Sequence, residues 1–377
     1  MKDGRGTVIA GGGTGGHVVP SLQIARALVA RGHPARSIEL FGSRRGQEAA
    51  IWPGLEFPFT LLPGRGIRRS VRPGALWANA RAVVGLAWAC VLSLGSFLMR
   101  RPRAVVVVGG YASFPAGLAA VVTRVPMILV NTDAVPGAVN ALFGRFAKVN
   151  AVAFPGTNLP RAQVTGTPVR PELGSLDMSS LGRREARTIL GLPDGRRTLA
   201  AFGGSLGARR INAAVSELGS RWSDRGDLAI YHVAGRRDFA QFAQPEEVQG
   251  GAAGTLRYLV VPYEERMPEV YRAADLCVCR AGAITVAELL ASGVPAILVP
   301  LPGAPRDHQT RNAEVLVKAG AAIMIPDAEC SAERLEAELG PLLSDPGRLA
   351  AMGEAARGLG HPDAACRVAE LVDAYAR

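Results

Sequence analysis

The feature that most constrains this chain is an approximate internal duplication. Thr7 to Ala10 is a short apolar run, followed at once by Gly11-Gly12-Gly13-Thr14-Gly15-Gly16-His17 and then by helical spacing from Ser21 to Ala30 that stops at Gly32. Thr198 to Phe202 repeats the plan, with Gly203-Gly204-Ser205-Leu206-Gly207 behind it and a helical segment through Arg210, Asn212 and Val215. Gly11 and Gly203 lie 192 residues apart in a chain of 377, about half its length. A strand, a glycine turn and a helix in that order open a doubly wound parallel sheet, so the duplication predicts two such domains. The length agrees, since ordinary domains hold roughly 100–200 residues.

Further apolar runs at Ser37 to Phe41, Val105 to Val108, Met127 to Val130, Ala229 to Val233, Leu276 to Cys279 and Ala296 to Val299 read as strands covered on both faces. In such sheets ligands sit beyond the carboxyl ends of the strands, so the loops there are where chemistry is expected. The two prolines of Gly166-Thr167-Pro168-Val169-Arg170-Pro171 stiffen a linker. They divide the chain into residues 1–166 and 167–361. Pro362 to Arg377 reads as a helix with Val368, Leu371 and Val372 on one face, expected to return to the first domain.

Composition narrows the function classes. Hydrophobic residues make up 48% and charged residues 20%, which supplies a packed core and excludes a disordered chain. Five cysteines, odd in number and scattered, fit a reducing cytoplasm better than a secreted disulfide scaffold. Met1 to Gly6 leaves no room for a signal peptide's apolar region, so export is not expected. The net charge of +11 raises nucleic acid as a partner, but aromatic residues are only 6% and no basic stretch is interleaved with stacking side chains, so none is expected. An anionic membrane surface fits better, because Arg65, Arg68, Arg69, Arg72 and Arg81 lie near Trp77, Trp88 and Phe97. A solvated arginine-rich face is the alternative. Ala82 to Met99 runs for 18 residues without a charge, long enough for a membrane span. It leads straight into the strand-like Ala104 to Val108, and a span there would separate the pieces of one sheet, so a buried or interfacial helix is expected.

A glycine loop between strand and helix gathers backbone N–H groups at the positive end of the helix, which suits a phosphate or diphosphate. Neither loop has the dinucleotide spacing or the Lys-Ser/Thr of a P-loop. His17 closes the first loop and could take a proton near neutral pH, or be an ordinary hydrogen-bonded loop histidine. The other histidines lack metal-ligand spacing and no Asp-x-Asp occurs, so neither a metal nor a cofactor is called for. Cys277 and Cys279 share one face of a strand and read as core. Thr285 and Glu288 have the spacing of a capping box, yet Glu288 could equally accept hydrogen bonds from the hydroxyls of a ribose. The polar cluster Arg306-Asp307-His308-Gln309-Thr310-Arg311-Asn312 can read sugar hydroxyls or cap the next helix.

At these residues the chain resembles the MurG family, which transfers N-acetylglucosamine from its UDP donor to undecaprenyl-diphosphate-linked muramyl-pentapeptide. The resemblance rests on GGGTGGHVVP at Gly11 to Pro20, GGYASFPAG at Gly109 to Gly117, AVPG at Ala134 to Gly137, GGSLGARRIN at Gly203 to Asn212, RAGAITVAEL at Arg280 to Leu289 and DHQTRNAEVL at Asp307 to Leu316. It implies α/β architecture of the GT-B type, two Rossmann-like domains facing a central cleft. It implies a peripheral enzyme on the cytoplasmic face of the membrane, with UDP-N-acetylglucosamine and a polyprenyl-diphosphate-linked acceptor as partners. Donor contacts are then expected from Thr14, Gly15, Gly16, Arg170, Ser205, Tyr263, Glu264, Thr285, Glu288, His308 and Gln309. Acceptor contacts are expected from Gly13, Thr14, His17, Tyr111, Ser113 and Asn131, with His17 or Asp133 as the base. Three stretches depart from the family: Val130-Asn131-Thr132-Asp133 stands where it has His-Glu-Gln-Asn, Leu206 replaces a Gln, and Thr167 an Asn. The first of these leaves open another lipid or small acceptor. An epimerase or a non-catalytic UDP-sugar-binding protein are the more distant alternatives.

Overall fold

The computed structural model describes residues 6–64, 73–204, 207–243 and 254–376, with 73–78 and 80 through their backbone only. The chain divides into two compact units. Unit 1 holds the described residues up to Arg170 together with those from Pro362 onward, and unit 2 runs from Pro171 to His361.

Unit 1 is built on seven parallel strands: β1 (Thr7–Gly11), β2 (Ile38–Ser43), β3 (Phe59–Leu62), β4 (Ala104–Gly109), β5 (Met127–Asn131), β6 (Val149–Val152) and β7 (Ala162–Val164). Their order is β3-β2-β1-β4-β5-β6-β7. The runs TVIAG and AVVVVG are apolar throughout because both faces of the sheet are covered. Side chains alternate between the two coverings, as the period of a strand requires. Ile9, Val106, Val108, Ile128 and Val130 join a core with α1 (Gly15–Ala30). Val8, Ala10, Val105, Val107 and Leu129 face the other way, into a core with Ala89 and Phe97 of α3 (Pro73–Arg100) and Ala116, Ala119 and Ala120 of α4 (Phe114–Thr123). Between β2 and β3 lies the single turn α2 (Glu48–Ile51), and α5 (Ala138–Phe143) follows β5.

Helix α3 lies on the sheet along one stripe only. Ala82, Ala89, Ser93 and Phe97 are buried at helical spacing, with Phe97 edge-on to Phe41 at 6.1 Å, whereas Val84, Trp88, Val91, Leu98 and Met99 stand exposed. It is a crossover between β3 and β4 of one sheet. Residues Arg81–Arg100 are the one stretch among the described residues long and apolar enough to cross a membrane.

Unit 2 repeats the arrangement with six parallel strands in the order β10-β9-β8-β11-β12-β13. They are β8 (Arg197–Phe202), β9 (Leu228–Val233), β10 (Arg257–Val261), β11 (Leu276–Cys279), β12 (Ala296–Leu298) and β13 (Ala322–Met324). The helices are α6 (Ser180–Ile189), α7 (Arg209–Arg221), α8 (Phe239–Phe242), α9 (Met267–Ala273), α10 (Ala283–Ser292), α11 (His308–Lys318), α12 (Ala332–Ser344) and α13 (Pro346–Leu359). Ile211, Val215 and Leu218 of α7 pack on Leu199, Ile230, Val278 and Ile297, each fully buried side chain contributing roughly 1.5–3 kcal/mol. Cys277 and Cys279 are fully buried in β11, as their shared-face spacing predicts.

In both sheets the order reverses beside the first strand, and the glycine loop follows that strand. That is the switch point where doubly wound sheets open toward ligands. The chain finally returns to unit 1 as α14 (Ala364–Tyr375), where Val368, Ala369 and Val372 complete the core of Ile24, Ala25 and Leu28. Asp373 there accepts from Arg31 Nε and pairs with His33 Nε2, both at 2.8 Å.

Candidate active site

In unit 1 the loop after β1 runs directly into α1. Thr14 is the N-cap residue without a side-chain cap, and Gly15 and Gly16 are already helical, six residues before the start expected at Ser21. The first-turn N–H groups therefore have no side-chain partner from the cap, the condition under which a helix start accepts an anion. The half-buried His17 lies against the turn after β4. Its Nδ1 is 3.3 Å from Thr14 Oγ1, and a Cβ at Gly109 or Gly110 would meet its ring at 3.0–3.1 Å. Both glycines have positive φ, +117° and +75°, so only residues without side chains leave this seat for the imidazole.

Other expected residues gather at the same edge. Tyr111 donates to Ser43 Oγ at 3.0 Å, and the buried Ser113 donates to Gly110 O at 2.9 Å. Asn131, at the end of β5, donates to the carbonyl of Asp133 at 2.6 Å and accepts from Asn140 Nδ2 at 3.0 Å. The Asp133 side chain is half-buried, one turn of chain beyond β5. Arg170 is half-buried at the end of the unit. One expectation changes: the amide of Gly13 points inward, bound by both carboxylate oxygens of Glu48 at 3.0 and 3.1 Å.

In unit 2 the polar side chains stand after β10, β11 and β12. Helix α10 starts at Ala283 with Gly282 as a cap that supplies no side-chain bond, so Thr285 and Glu288 form no capping box. Glu288 is buried, and its Oε2 accepts from the hydroxyl of Tyr271 on α9 at 3.0 Å. Tyr271 is fully buried and edge-on to Phe202, the last residue of β8, at 5.8 Å. Burial raises the Tyr271 hydroxyl well above the usual tyrosine range, aided by the charge of Glu288, so it stays a proton donor to that carboxylate. Gln309 Oε1 accepts from Leu301 N at 2.9 Å, and its Nε2 lies 4.0 Å from the Cβ position of Gly282. His308 Nδ1 is 2.8 Å from Pro305 O. The two strand-to-helix loops are thus neighbours.

Tyr263 is exposed, with Arg236 stacked over its ring at 4.4 Å. Glu264 turns inward instead: Tyr231 donates to its Oε2 at 2.5 Å and Arg266 to its Oε1 at 2.8 and 3.0 Å. Burial alone would raise its carboxyl, but the bonds from Arg266 and Tyr231 outweigh that and hold it below the ordinary value. Its side chain holds the loop together rather than facing out of it. Ser205 and Trp77 lie outside the residues whose side chains are described, as do Arg65, Arg68, Arg69 and Arg72.

Helix α7, behind the second glycine loop, starts at Arg209 and Arg210 with no acidic residue in its first turn and no side-chain cap on Ala208. Two cations at a positive helix end are unfavourable unless an anion answers them. Arg210 pairs with Asp327 Oδ2 and Arg209 with Asp238 Oδ1, both at 3.1 Å. Both arginines line a cavity of about 740 Å³ together with Arg237, Arg280 and Leu301. Arg280 donates to Val299 O and Pro300 O at 3.0 Å, tying the end of β11 to that of β12. Tyr271, Glu48 and this arginine set lie outside the site residues read from the sequence. Arg209 and Arg210 stand in the sequence as GARR at the end of the second glycine loop, whereas Tyr271 and Glu48 carry no local signature.

Two doubly wound parallel sheets, each with a glycine loop at its switch point and polar groups beyond its strands, are the halves of a GT-B glycosyltransferase. The glycosyltransferase family 28 N-terminal domain matches residues 7–152 and the family 28 C-terminal domain matches residues 198–368. A protein of Alkalilimnicola ehrlichii named UDP-N-acetylglucosamine–N-acetylmuramyl-(pentapeptide) pyrophosphoryl-undecaprenol N-acetylglucosamine transferase is 41% identical over 369 residues, 97% of both chains. One of the same name from Desulforudis audaxviator is 37% identical over 375 residues, 98% of both. The crystal structure of Acinetobacter baumannii MurG aligns with a TM-score of 0.75 at 28% identity, covering 98% of this chain and 99% of that one. The chain belongs to the MurG family within glycosyltransferase family 28.

Proposed function

We propose that this chain transfers N-acetylglucosamine from UDP-N-acetylglucosamine to the muramyl sugar of undecaprenyl-diphosphate-linked muramyl-pentapeptide, inverting the anomeric centre. The observation that carries the reading is Glu288: a buried carboxylate at a strand-to-helix loop, steadied through one oxygen by Tyr271, in a chain whose full-length relatives bear that transferase's name. A ribose offers two hydroxyl donors to such an acceptor. Thr285, Gln309 and His308 are read as serving the sugar's hydroxyls, and the loop of Tyr263 and Glu264 as serving uracil. Ser205, the start of α7 and its arginines answer the diphosphate.

The acceptor falls to unit 1. Thr14, Gly15 and Gly16 offer N–H groups to its diphosphate, with Tyr111, Ser113 and Asn131 around them. The acceptor's hydroxyl oxygen attacks the anomeric carbon, the bond from that carbon to UDP breaks, and the hydroxyl proton passes to His17 or Asp133. UDP leaves with the bonding electron pair, its charge met by amides and guanidinium groups. With amides and guanidinium groups meeting that charge, the steps call for no metal. The exposed apolar stripe of α3, flanked by the exposed Arg81, Arg100 and Arg101, rests on an anionic membrane surface, where a polyprenyl acceptor is held.

The departure at Val130 to Asp133 favours one second reading, the same chemistry on a different lipid or small alcohol. Purified protein with labelled UDP-N-acetylglucosamine, with and without lipid-linked acceptor, separates the readings. Release of UDP that depends on the muramyl-pentapeptide lipid supports the proposal. Release with another acceptor alone supports the second reading, and a new sugar nucleotide or binding without turnover refutes both.

A further inference from the structure

Glu48 belongs to none of the motifs read from the sequence, yet its side chain is fully buried beside the first glycine loop. An ionised carboxylate in such a place costs several kcal/mol unless its lone pairs are filled. No cation pairs with it among the described residues. Backbone amides fill it instead: Gly13 N–H reaches both oxygens, and Ser43 N–H donates to Oε1 at 2.8 Å. Its seat is cut from three glycines, one in the loop after β1 and two in β2 and the turn behind it. A Cβ on Gly12 would come within 2.1 Å of Oε1, one on Gly46 within 2.0 Å of Oε2, and one on Gly42 within 2.7 Å of Cγ. Ser43 in turn takes the hydroxyl of Tyr111 at 3.0 Å and the amide of Arg45 at 3.3 Å. One carboxylate therefore ties the loop after β1 to the end of β2, and through Ser43 to the turn after β4.

We propose that Glu48 is a positioning residue of the acceptor site. By holding the Gly13 amide inward, it fixes the turn from which Thr14, the amides of Gly15 and Gly16 and the His17 imidazole are presented. The second acceptor oxygen matters as well as the shape, because a glutamine would set an amide nitrogen against the Gly13 N–H, donor to donor. The inference rests on reading this loop as the acceptor's, with Thr14, Gly15 and Gly16 serving that substrate and not the donor. It predicts a defect confined to one substrate, since every group Glu48 holds lies in unit 1.

The test is steady-state kinetics of Glu48→Gln and of Gly46→Ala, whose new Cβ would push the carboxylate aside without touching its charge, with UDP-N-acetylglucosamine affinity measured by calorimetry. The expected result is a fall of about ten- to a hundredfold in kcat/KM for the lipid-linked acceptor, with donor affinity unchanged. Where Glu48→Gln fails to fold, Gly46→Ala carries the test. Wild-type acceptor kinetics in the folded variants, or donor affinity falling in step with acceptor kinetics, overturns the inference. His17→Ala separates the two layers. If it too leaves both kcat and KM for the acceptor intact, the acceptor reading of the loop has failed; if it lowers acceptor kcat/KM while Glu48→Gln does not, only the role of Glu48 has.

Discussion

Acid should destabilise unit 2 through a single imidazole. His232 in β9 is fully buried, with Nδ1 2.8 Å from the hydroxyl of Tyr258 and Nε2 3.0 Å from Asn212 Oδ1. Asn212 passes the network on to Ala234 O at 2.8 Å. Burial pushes the imidazole down from 6.5 to about 4. The unfolded chain thus binds a proton through a pH range where the folded chain refuses it, and acid draws the equilibrium toward the unfolded state. The contribution is complete above about pH 6.5 and is lost as pH falls toward 4, below which both states are protonated. At 1.36 kcal/mol per pH unit, the loss comes to about 2 kcal/mol by pH 5 and about 3 kcal/mol by pH 4. That is a large share of an ordinary domain's stability. Hydrogen exchange of peptides from β9, β10 and α7 in a urea series, at pH 7, 6 and 5, reports unit 2 separately from unit 1. His232→Gln, which does not titrate, should lose about 2 kcal/mol of this pH dependence, whatever its stability at pH 7. Parallel stability curves for the two proteins would refute the reasoning.

Three further outcomes follow from the site. Glu288→Ala should weaken UDP-N-acetylglucosamine binding by about 1–3 kcal/mol, because buried hydroxyl contacts are lost; unchanged affinity by calorimetry in a folded protein removes the ribose role. His17→Ala should lower kcat by about 10²–10⁴, the usual reach of a positioned base, with donor affinity intact; a kcat near wild type with a raised acceptor KM passes the role of base to Asp133. Replacing Val84, Trp88 and Met99 by serine should release the protein from vesicles containing anionic lipid, read by co-sedimentation. The membrane reading falls if the wild type never sediments with them.

The fold was largely legible because both sheets are buried on both faces. A strand such as Val105 to Val108 has no polar side to blur its ends, and the glycine turns mark where each sheet reverses. Strands β3, β6, β7, β10 and β13 escaped notice. β3, β6, β7 and β13 are only three or four residues long, β3 runs from an exposed to a buried end, and β10 alternates half-buried with buried positions instead of running apolar. At the site, motif residues identify which loops matter but not which way each side chain turns. Glu264 lies in a candidate loop yet folds back on Tyr231 and Arg266, and the Gly13 amide faces inward. Tyr271 and Glu48 hold the site from 17 and 35 residues away in sequence, and no local pattern carries such contacts.

The return of α14 gives the polypeptide a definite order of assembly. Every part of unit 2 is made before the residues that close the hydrophobic floor under α1, so on the ribosome the later half can reach its native state first. The earlier half must wait, with Ile24 and Leu28 uncovered, until residues 362–377 emerge. A nonsense codon near Pro362 would therefore spare the nucleotide-sugar half and cripple the one made first, an inversion of the usual polarity of truncation.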